Sequence, residues 1–300
     1  MPTEYRQQLT LELPDHFRIQ DFLDFHRRDQ QALAERVSTN SLTKGLMLSG
    51  VPCQLEIGFN ADQINVQLTA AKEPDPQSNS LSALAAHMLG LSQPIQQFEQ
   101  MFSDHPQVGS LLRQNKGLRI PQAASAYEAL VWAIIGQQIS LTAAISIRRR
   151  FIQAAGQLTL NGLYCFPDPD SVSRMDPADI KGCGFSNAKI QALMRLNEWI
   201  QATPTLPNTL TTETAKQLNE QLLSIKGIGP WTVSYALLRG FNWLDGSLHG
   251  DVAVRRNLQY LLKMETAVDA RYTEQWLQPF SPWRALMAAH LWAQQSSSGY

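Results

Sequence analysis

Residues 51–59 alternate strictly between two kinds of side chain. Apolar residues occupy positions 51, 53, 55, 57 and 59, and polar or small residues occupy the positions between them. A period of two predicts a β-strand with one buried face. A second alternating run at 63–69 follows the turn residues Asn60, Ala61 and Asp62, so we predict an antiparallel hairpin. Positions 9, 11 and 13 repeat the period and predict a further strand.

The charged segment 22–37 has no period of two, and we predict that it forms a helix on one face of the sheet. Residues 72–80 combine two prolines with polar residues, which is typical of a linker. We therefore expect an α+β domain over 1–75 and a helical region over 76–300. The predicted helices span 81–89, 95–102, 105–112, 125–135, 141–154, 231–239, 251–262 and 282–294.

Composition excludes several classes of protein. No apolar run approaches the roughly 18 residues of a membrane span, and the N-terminal residues lack the pattern of a signal peptide, so we expect a cytoplasmic protein. The three cysteines are too few and too scattered for a disulfide framework or a tetrahedral metal site. A net charge of −1 argues against a protein that coats nucleic acid indiscriminately.

A very tight turn between two helices is the most informative local pattern. An apolar helical run ends at Gly227-Ile228-Gly229, and Pro230 then opens the next helix. Neither glycine has a Cβ to obstruct a phosphate, and the unpaired N–H groups of the following helix face the turn. The segment therefore predicts an anion-binding hairpin, although an ordinary interhelical turn would show the same glycines.

Further candidate residues flank this turn. Asp251 follows a glycine and precedes a helical run, which is where a carboxylate caps a helix. One interpretation is that Asp251 only caps the helix, and the other is that its carboxylate faces a cleft. Trp231 and Tyr235 lie four residues apart on one helix face and are expected to form an aromatic wall, with Trp283 closing the far side. The adjacent amides after Gly136 indicate a helix end that either meets a ligand or is a plain turn.

These motifs together resemble a known family. The segments 227–232 with Tyr235, 248–252, 133–140 and 282–284 are similar to the helix-hairpin-helix/Gly-Pro-Asp superfamily of DNA base-excision glycosylases, within it to the DNA-3-methyladenine glycosylase II branch. The resemblance spans nearly the whole chain and implies two helical subdomains with the active-site cleft between them. It implies double-stranded DNA with alkylated bases as the partner, a monomer, and no cofactor.

The resemblance also implies roles for individual residues. Asp251 matches the essential aspartate, and Lys226, Gly227, Ile228 and Gly229 match the hairpin that grips DNA phosphate. A monovalent cation is often held there by carbonyls, here those of Ile225 and Ile228. The residues matched to the base pocket are Trp231, Tyr235, Trp283 and, at one further position, Phe25. Gln138 falls where the family inserts a wedge into the gap left by the extruded nucleotide, a place that some members fill with leucine.

Two differences from other superfamily members narrow the expected activity. Members that also cleave the strand carry a lysine two residues after the second hairpin glycine, and Trp231 stands there. Members with an iron–sulfur cluster need four closely spaced cysteines near the C-terminus, which this chain lacks. These differences predict a monofunctional enzyme without a metal cluster, and the resemblance implies that it is a glycosylase for alkylated purines such as 3-methyladenine. The alternatives are a glycosylase for oxidised or mismatched bases and a non-catalytic DNA-binding protein.

Overall fold

The computed structural model describes residues 4–75, 80–203, 206–207 and 209–294. Its N-terminal part is an antiparallel sheet with strand order β1-β5-β4-β3-β2. The predicted hairpin is confirmed, because β4 pairs with β5 and Ile57 lies opposite Val66. The five strands are β1 (Tyr5–Glu12), β2 (Glu35–Val37), β3 (Ser41–Leu48), β4 (Val51–Phe59) and β5 (Gln63–Ala70).

The single helix predicted over 22–37 is wrong. Helix α1 covers only Ile19–His26, and the chain then enters β2 and β3, which the sequence did not reveal. In β3 the inward positions are Leu42, Lys44 and Leu46, all nearly inaccessible to solvent. A buried lysine interrupts the apolar alternation that identifies a strand, so the period of two was hidden.

The remainder of the described chain is helical, as predicted. The helix predicted at 105–112 starts instead at Gly109, and Pro106 disfavours helical backbone at His105. Residues 76–79 of the predicted linker lie outside the described residues. The helices are α2 (Leu81–Met88), α3 (Ile95–Phe102), α4 (Gly109–Gln114), α5 (Ala126–Gly136), α6 (Leu141–Ala155), α7 (Pro169–Ser173), α8 (Pro177–Gly182), α9 (Asn187–Ala202), α10 (Thr212–Ser224), α11 (Pro230–Gly240), α12 (Val252–Leu262), α13 (Ala270–Leu277) and α14 (Arg284–Trp292).

Helices α5 and α11 approach each other closely and bring distant parts of the sequence together. At their contact a Cβ on Gly240 would lie 2.8 Å from the Cβ of Ala129. One apolar cluster surrounds this pair, a second fills the space among α3, α12 and α14, and a third lies against the sheet. None of the helices in the described ranges is long and apolar enough to cross a membrane.

Candidate active site

Asp251 caps α12, and its carboxylate is held by four N–H donors. Oδ1 accepts hydrogen bonds from the backbone N–H groups of Ala253 and Val254 at 2.9 and 3.0 Å. The indole Nε1 of Trp231 donates to Oδ2 at 2.9 Å, and that of Trp292 donates to Oδ1 at 3.3 Å. The side chain is therefore both the helix cap that its position predicts and part of an aromatic site. These contacts fix the carboxylate in one orientation.

Trp231 and Tyr235 form a continuous stack on α11. Their ring centroids are 5.4 Å apart and the planes are inclined by 28°. Because they are four residues apart on one helix, their side chains lie one above the other. The Tyr235 hydroxyl accepts a hydrogen bond from the indole Nε1 of Trp132 on α5 at 3.0 Å. The stack thus leads from the carboxylate of Asp251 to the inside of the molecule.

A cavity lies where Tyr235 meets the N-terminal unit. Phe25 of α1, Trp132 and Tyr235 form part of its wall, together with the guanidinium groups of Arg28 and Arg239. Those two groups lie 4.2 and 4.6 Å from the centre of the Phe25 ring. The cavity measures about 50 Å³, well below the roughly 150 Å³ that accommodates benzene. A purine can enter only if side chains at the wall move.

An ionic network that joins the sheet to the helices forms the buried side of this cavity. We call this network the polar floor. Lys44 Nζ lies 2.6 Å from a Glu35 carboxylate oxygen and 2.8 Å from one of Glu128. Arg148 contacts the same two carboxylates at 3.2 and 2.8 Å. His26 completes the floor through Nδ1, which lies 2.9 Å from Glu35 Oε1. Two cations and two anions therefore neutralise each other beneath the aromatic wall.

Burial and ion pairing act in opposite directions on these groups. Burial alone raises the pKa of Glu35, but the charges of Arg148 and Lys44 outweigh it and hold that pKa well below its usual range. Burial also lowers the pKa of His26, and the adjacent Glu35 offsets only part of this effect. At neutral pH the network therefore contains a charged Glu35 and a neutral imidazole.

The hairpin joins α10 to α11, so it is continuous with the helix that carries the stack. The N–H of Ile228 donates to the Ile225 carbonyl at 3.0 Å, and both side chains are buried. Gly227 has a φ of 101°, and a Cβ on it would lie 2.7 Å from the Cβ of Ala192. A Cβ on Gly229 would meet nothing within 4 Å. The hairpin therefore packs against α9 at Gly227 and presents an open backbone at Gly229 beside the exposed Lys226.

Gln138 lies in the short connection between α5 and α6, beside the hairpin. Its side chain is exposed and its φ of 55° is in the left-handed region. The neighbouring Gln137 ties this connection to the hairpin, because its Nε2 donates to the Gly227 carbonyl at 3.0 Å and to Thr232 Oγ1 at 2.9 Å. Gln138 is thus held in a projecting position next to the hairpin backbone.

Trp283 is not placed with the other candidate aromatic residues. It packs in the core against Phe98 and Phe102, with ring centroids 5.9 and 6.4 Å away. Trp292, nine positions further along the chain, contacts Asp251 instead. Trp283 lies just before α14 and Trp292 is the last residue of that helix, so the two indoles lie at opposite ends of α14. We had not predicted Trp292, Trp132, His26, Arg28 or Arg239, since no local pattern connects them to the hairpin.

Two family models and several curated proteins are similar to this chain. Residues 131–282 match the model of the HhH-GPD superfamily base excision DNA repair protein, and residues 8–125 match that of the AlkA N-terminal domain. The chain is 22% identical to a DNA-3-methyladenine glycosylase of Bacillus subtilis, over 96% of this chain and 97% of the relative. It is 31% identical to DNA-3-methyladenine glycosylase 2 of Escherichia coli, over 62% and 63%.

A similar fold occurs in a solved structure of a 3-methyladenine DNA glycosylase from Archaeoglobus fulgidus. The TM-score is 0.81 at 18% identity, covering 95% of this chain and 97% of that one. The first family model covers the hairpin, the aromatic stack and Asp251, and the second covers α1 and all of the sheet except the first residues of β1. The chain belongs to the HhH-GPD superfamily of base-excision DNA repair proteins.

Proposed function

We propose that this protein is a monofunctional DNA glycosylase that extrudes alkylated purines such as 3-methyladenine and hydrolyses their N-glycosidic bond, leaving an abasic site. One observation carries the proposal: α11 begins at the hairpin and carries Trp231, whose indole binds the Asp251 carboxylate and stacks on Tyr235. A backbone clamp, a carboxylate and an aromatic wall are therefore fixed relative to one another by a single helix.

The hairpin and the wedge act on the DNA. The open backbone at Gly229 and the first N–H groups of α11 bind a phosphate, and Lys226 adds a positive charge beside it. Gln138 enters the duplex in place of the extruded nucleotide. Extrusion costs a few kcal/mol, and least where damage has already weakened base pairing.

A monovalent cation fits the hairpin and would support the same phosphate contact. Carbonyl oxygens suit a hard cation, and each has two lone pairs. Ile225 uses one of them for the N–H of Ile228, so the second is available to an ion, as is the carbonyl of Ile228. The cation takes no part in the bond cleavage.

Asp251 provides the chemistry. Alkylation at a ring nitrogen places positive charge on the purine, so the base leaves neutral and needs no strong general acid. The sugar that remains resembles an oxocarbenium ion, and the carboxylate stabilises it and orients the attacking water. Trp231 and Tyr235 stack on the cationic base, which contributes roughly 0.5–2 kcal/mol of cation–π attraction.

Strand cleavage is not expected, because Trp231 occupies the position at which bifunctional members carry a lysine. An indole cannot form a Schiff base with the sugar. Borohydride should therefore trap no covalent complex between the protein and DNA, whereas a trapped complex would show lyase activity. We further propose that the protein acts as a monomer in the cytoplasm, at the nucleoid in a bacterial cell.

The activity is tested by incubating the protein with methylated DNA and identifying the free bases. Release of 3-methyladenine is expected; release of 8-oxoguanine alone from oxidised DNA would favour the alternative glycosylase. Asp251→Asn keeps an acceptor for the helix cap, so it should retain binding to an abasic-site analogue and lose base release by several orders of magnitude. Unchanged release by this variant would remove Asp251 from the chemistry.

A further inference from the structure

One buried acceptor in the cavity takes no part in the mechanism above. His26 is 1% exposed and lines the cavity, and its Nε2 has no hydrogen-bond partner among the residues that the structure describes. Buried polar nitrogens are nearly always hydrogen-bonded, so an unpartnered one on a residue that lines a cavity is a candidate contact for a ligand atom. The imidazole also contacts the edge of Phe25, with ring centroids 4.9 Å apart. It therefore lies against the candidate base pocket.

The hydrogen bond at the other nitrogen determines what Nε2 can do. Nδ1 lies 2.9 Å from the Glu35 carboxylate, which can only accept, so the proton of the imidazole is on Nδ1. Because burial keeps His26 neutral at neutral pH, Nε2 carries a lone pair and no hydrogen. Lys44 and Arg148 hold Glu35 ionised and in place. The polar floor thus contains an unused hydrogen-bond acceptor on a residue that lines the cavity.

The orientation in which a purine enters the cavity determines which of its groups meets this acceptor. The sugar is attached at N9 and must stay near Asp251, so the six-membered ring goes in first and its 6-substituent reaches furthest. A 6-amino group donates a hydrogen bond, whereas a 6-oxo group only accepts. We propose that His26 determines specificity at this position, because its Nε2 accepts a hydrogen bond from the 6-amino group of an extruded adenine lesion and disfavours 6-oxo purines.

This inference rests on the proposed function and refines it by naming the preferred base. Two acceptors that face each other in a buried site lose a hydrogen bond and leave both lone pairs unpaired, which in protein sites changes a rate by about tenfold or more. Cation–π stacking on Trp231 and Tyr235 does not separate the two classes, since alkylated adenine and guanine are both cationic. Stacking on these rings therefore does not provide the discrimination, whereas the acceptor of the polar floor does.

The test compares the rates at which 3-methyladenine and 3-methylguanine are released from the same methylated DNA. The wild type should favour 3-methyladenine by about tenfold or more. His26→Leu should bring the ratio near one, mainly by slowing 3-methyladenine release, and His26→Gln should restore part of it through its amide oxygen. His105→Leu, at a histidine that does not line the cavity, should leave the ratio unchanged. A folded His26→Leu protein with the wild-type ratio would overturn the inference.

A second measurement does not depend on the folding of any variant. Free 3-methyladenine should inhibit the wild-type enzyme at about tenfold lower concentration than free 3-methylguanine. Equal inhibition by the two bases would also overturn the inference. Failure of the wild type to release any alkylated base is a separate outcome, because it contradicts the proposed function and not the proposed recognition of the purine 6-substituent by His26.

Discussion

Substitution of the two hairpin glycines should affect different properties of the protein, stability at Gly227 and DNA binding at Gly229. At Gly227 the φ of 101° is strained for any residue with a Cβ, and the new methyl group would lie 2.7 Å from the Cβ of Ala192. Backbone strain of this kind costs about 1–3 kcal/mol, and an overpacked methyl adds about 1–3 kcal/mol. We therefore expect Gly227→Ala to lower the free energy of unfolding by about 2–6 kcal/mol.

At Gly229 neither cost applies. Its φ is −104°, and a Cβ would meet nothing within 4 Å. Gly229→Ala should therefore change stability by less than about 0.5 kcal/mol. A larger side chain there fills the space in which the hairpin meets phosphate, so Gly229→Leu should weaken binding to every DNA, damaged or not. The pair separates a structural glycine from one that serves binding.

Thermal unfolding and DNA binding measured on the same preparations test this reasoning. For a chain of this length each kcal/mol corresponds to about 2 °C in Tm, so Gly227→Ala should melt roughly 4–12 °C below Gly229→Ala. Adding Ala192→Gly to Gly227→Ala removes the opposing Cβ and should recover the steric part of the loss. Equal melting temperatures for the two single variants would refute the assignment of Gly227. An effect of Gly229→Leu on one lesion only would refute the backbone clamp.

Three further predictions concern Asp251 and the polar floor. Trp292→Phe removes one hydrogen-bond donor to Asp251 and should slow base release by about tenfold, while binding to an abasic-site analogue stays constant. Weaker binding with an unchanged rate of release would argue against a role of Trp292 in positioning the carboxylate. Arg148→Met leaves two buried carboxylates with one cation, and calorimetry should show that the free energy of unfolding falls by about 3–5 kcal/mol. The control Arg6→Met, at an exposed arginine, should lower it by less than about 1 kcal/mol. Because the pKa of His26 is lowered in the folded protein, its contribution to stability is lost as the pH falls below 6.5. The pKa of Glu35 is also lowered, and its contribution to stability is lost as the pH falls below 4.5. A Tm that is constant from pH 7 to pH 4 would contradict both predictions.

Local patterns predicted the parts of this molecule whose causes are local. The β4–β5 hairpin followed from strict alternation, and Asp251 was expected at a helix cap from its place after a glycine and before a helical run. The α11 stack followed from a spacing of four residues. In each case the residues that form the feature are close in sequence, so a single pattern contains the information.

Features that depend on packing between distant segments could not be predicted. Trp283 and Trp292 are both aromatic and both far from the hairpin in sequence, and only the packing of α14 and the residue before it decides that Trp292 reaches Asp251 and Trp283 does not. Strand β3 was missed because Lys44 is buried where an apolar residue is expected. Its burial depends on Glu128, which lies 84 positions away in the sequence.

The same buried lysine explains why the N-terminal unit belongs to the candidate site. Lys44 and Glu35 come from the sheet, whereas Glu128 and Arg148 come from α5 and α6, so the ion pairs hold the two parts of the chain together under the cavity. Ionic groups of this kind are costly to bury, and apolar residues of similar volume would hold the two surfaces together at least as well. An apolar floor would leave no group to orient the imidazole of His26. The network therefore sets the chemical character of the pocket in addition to joining its walls.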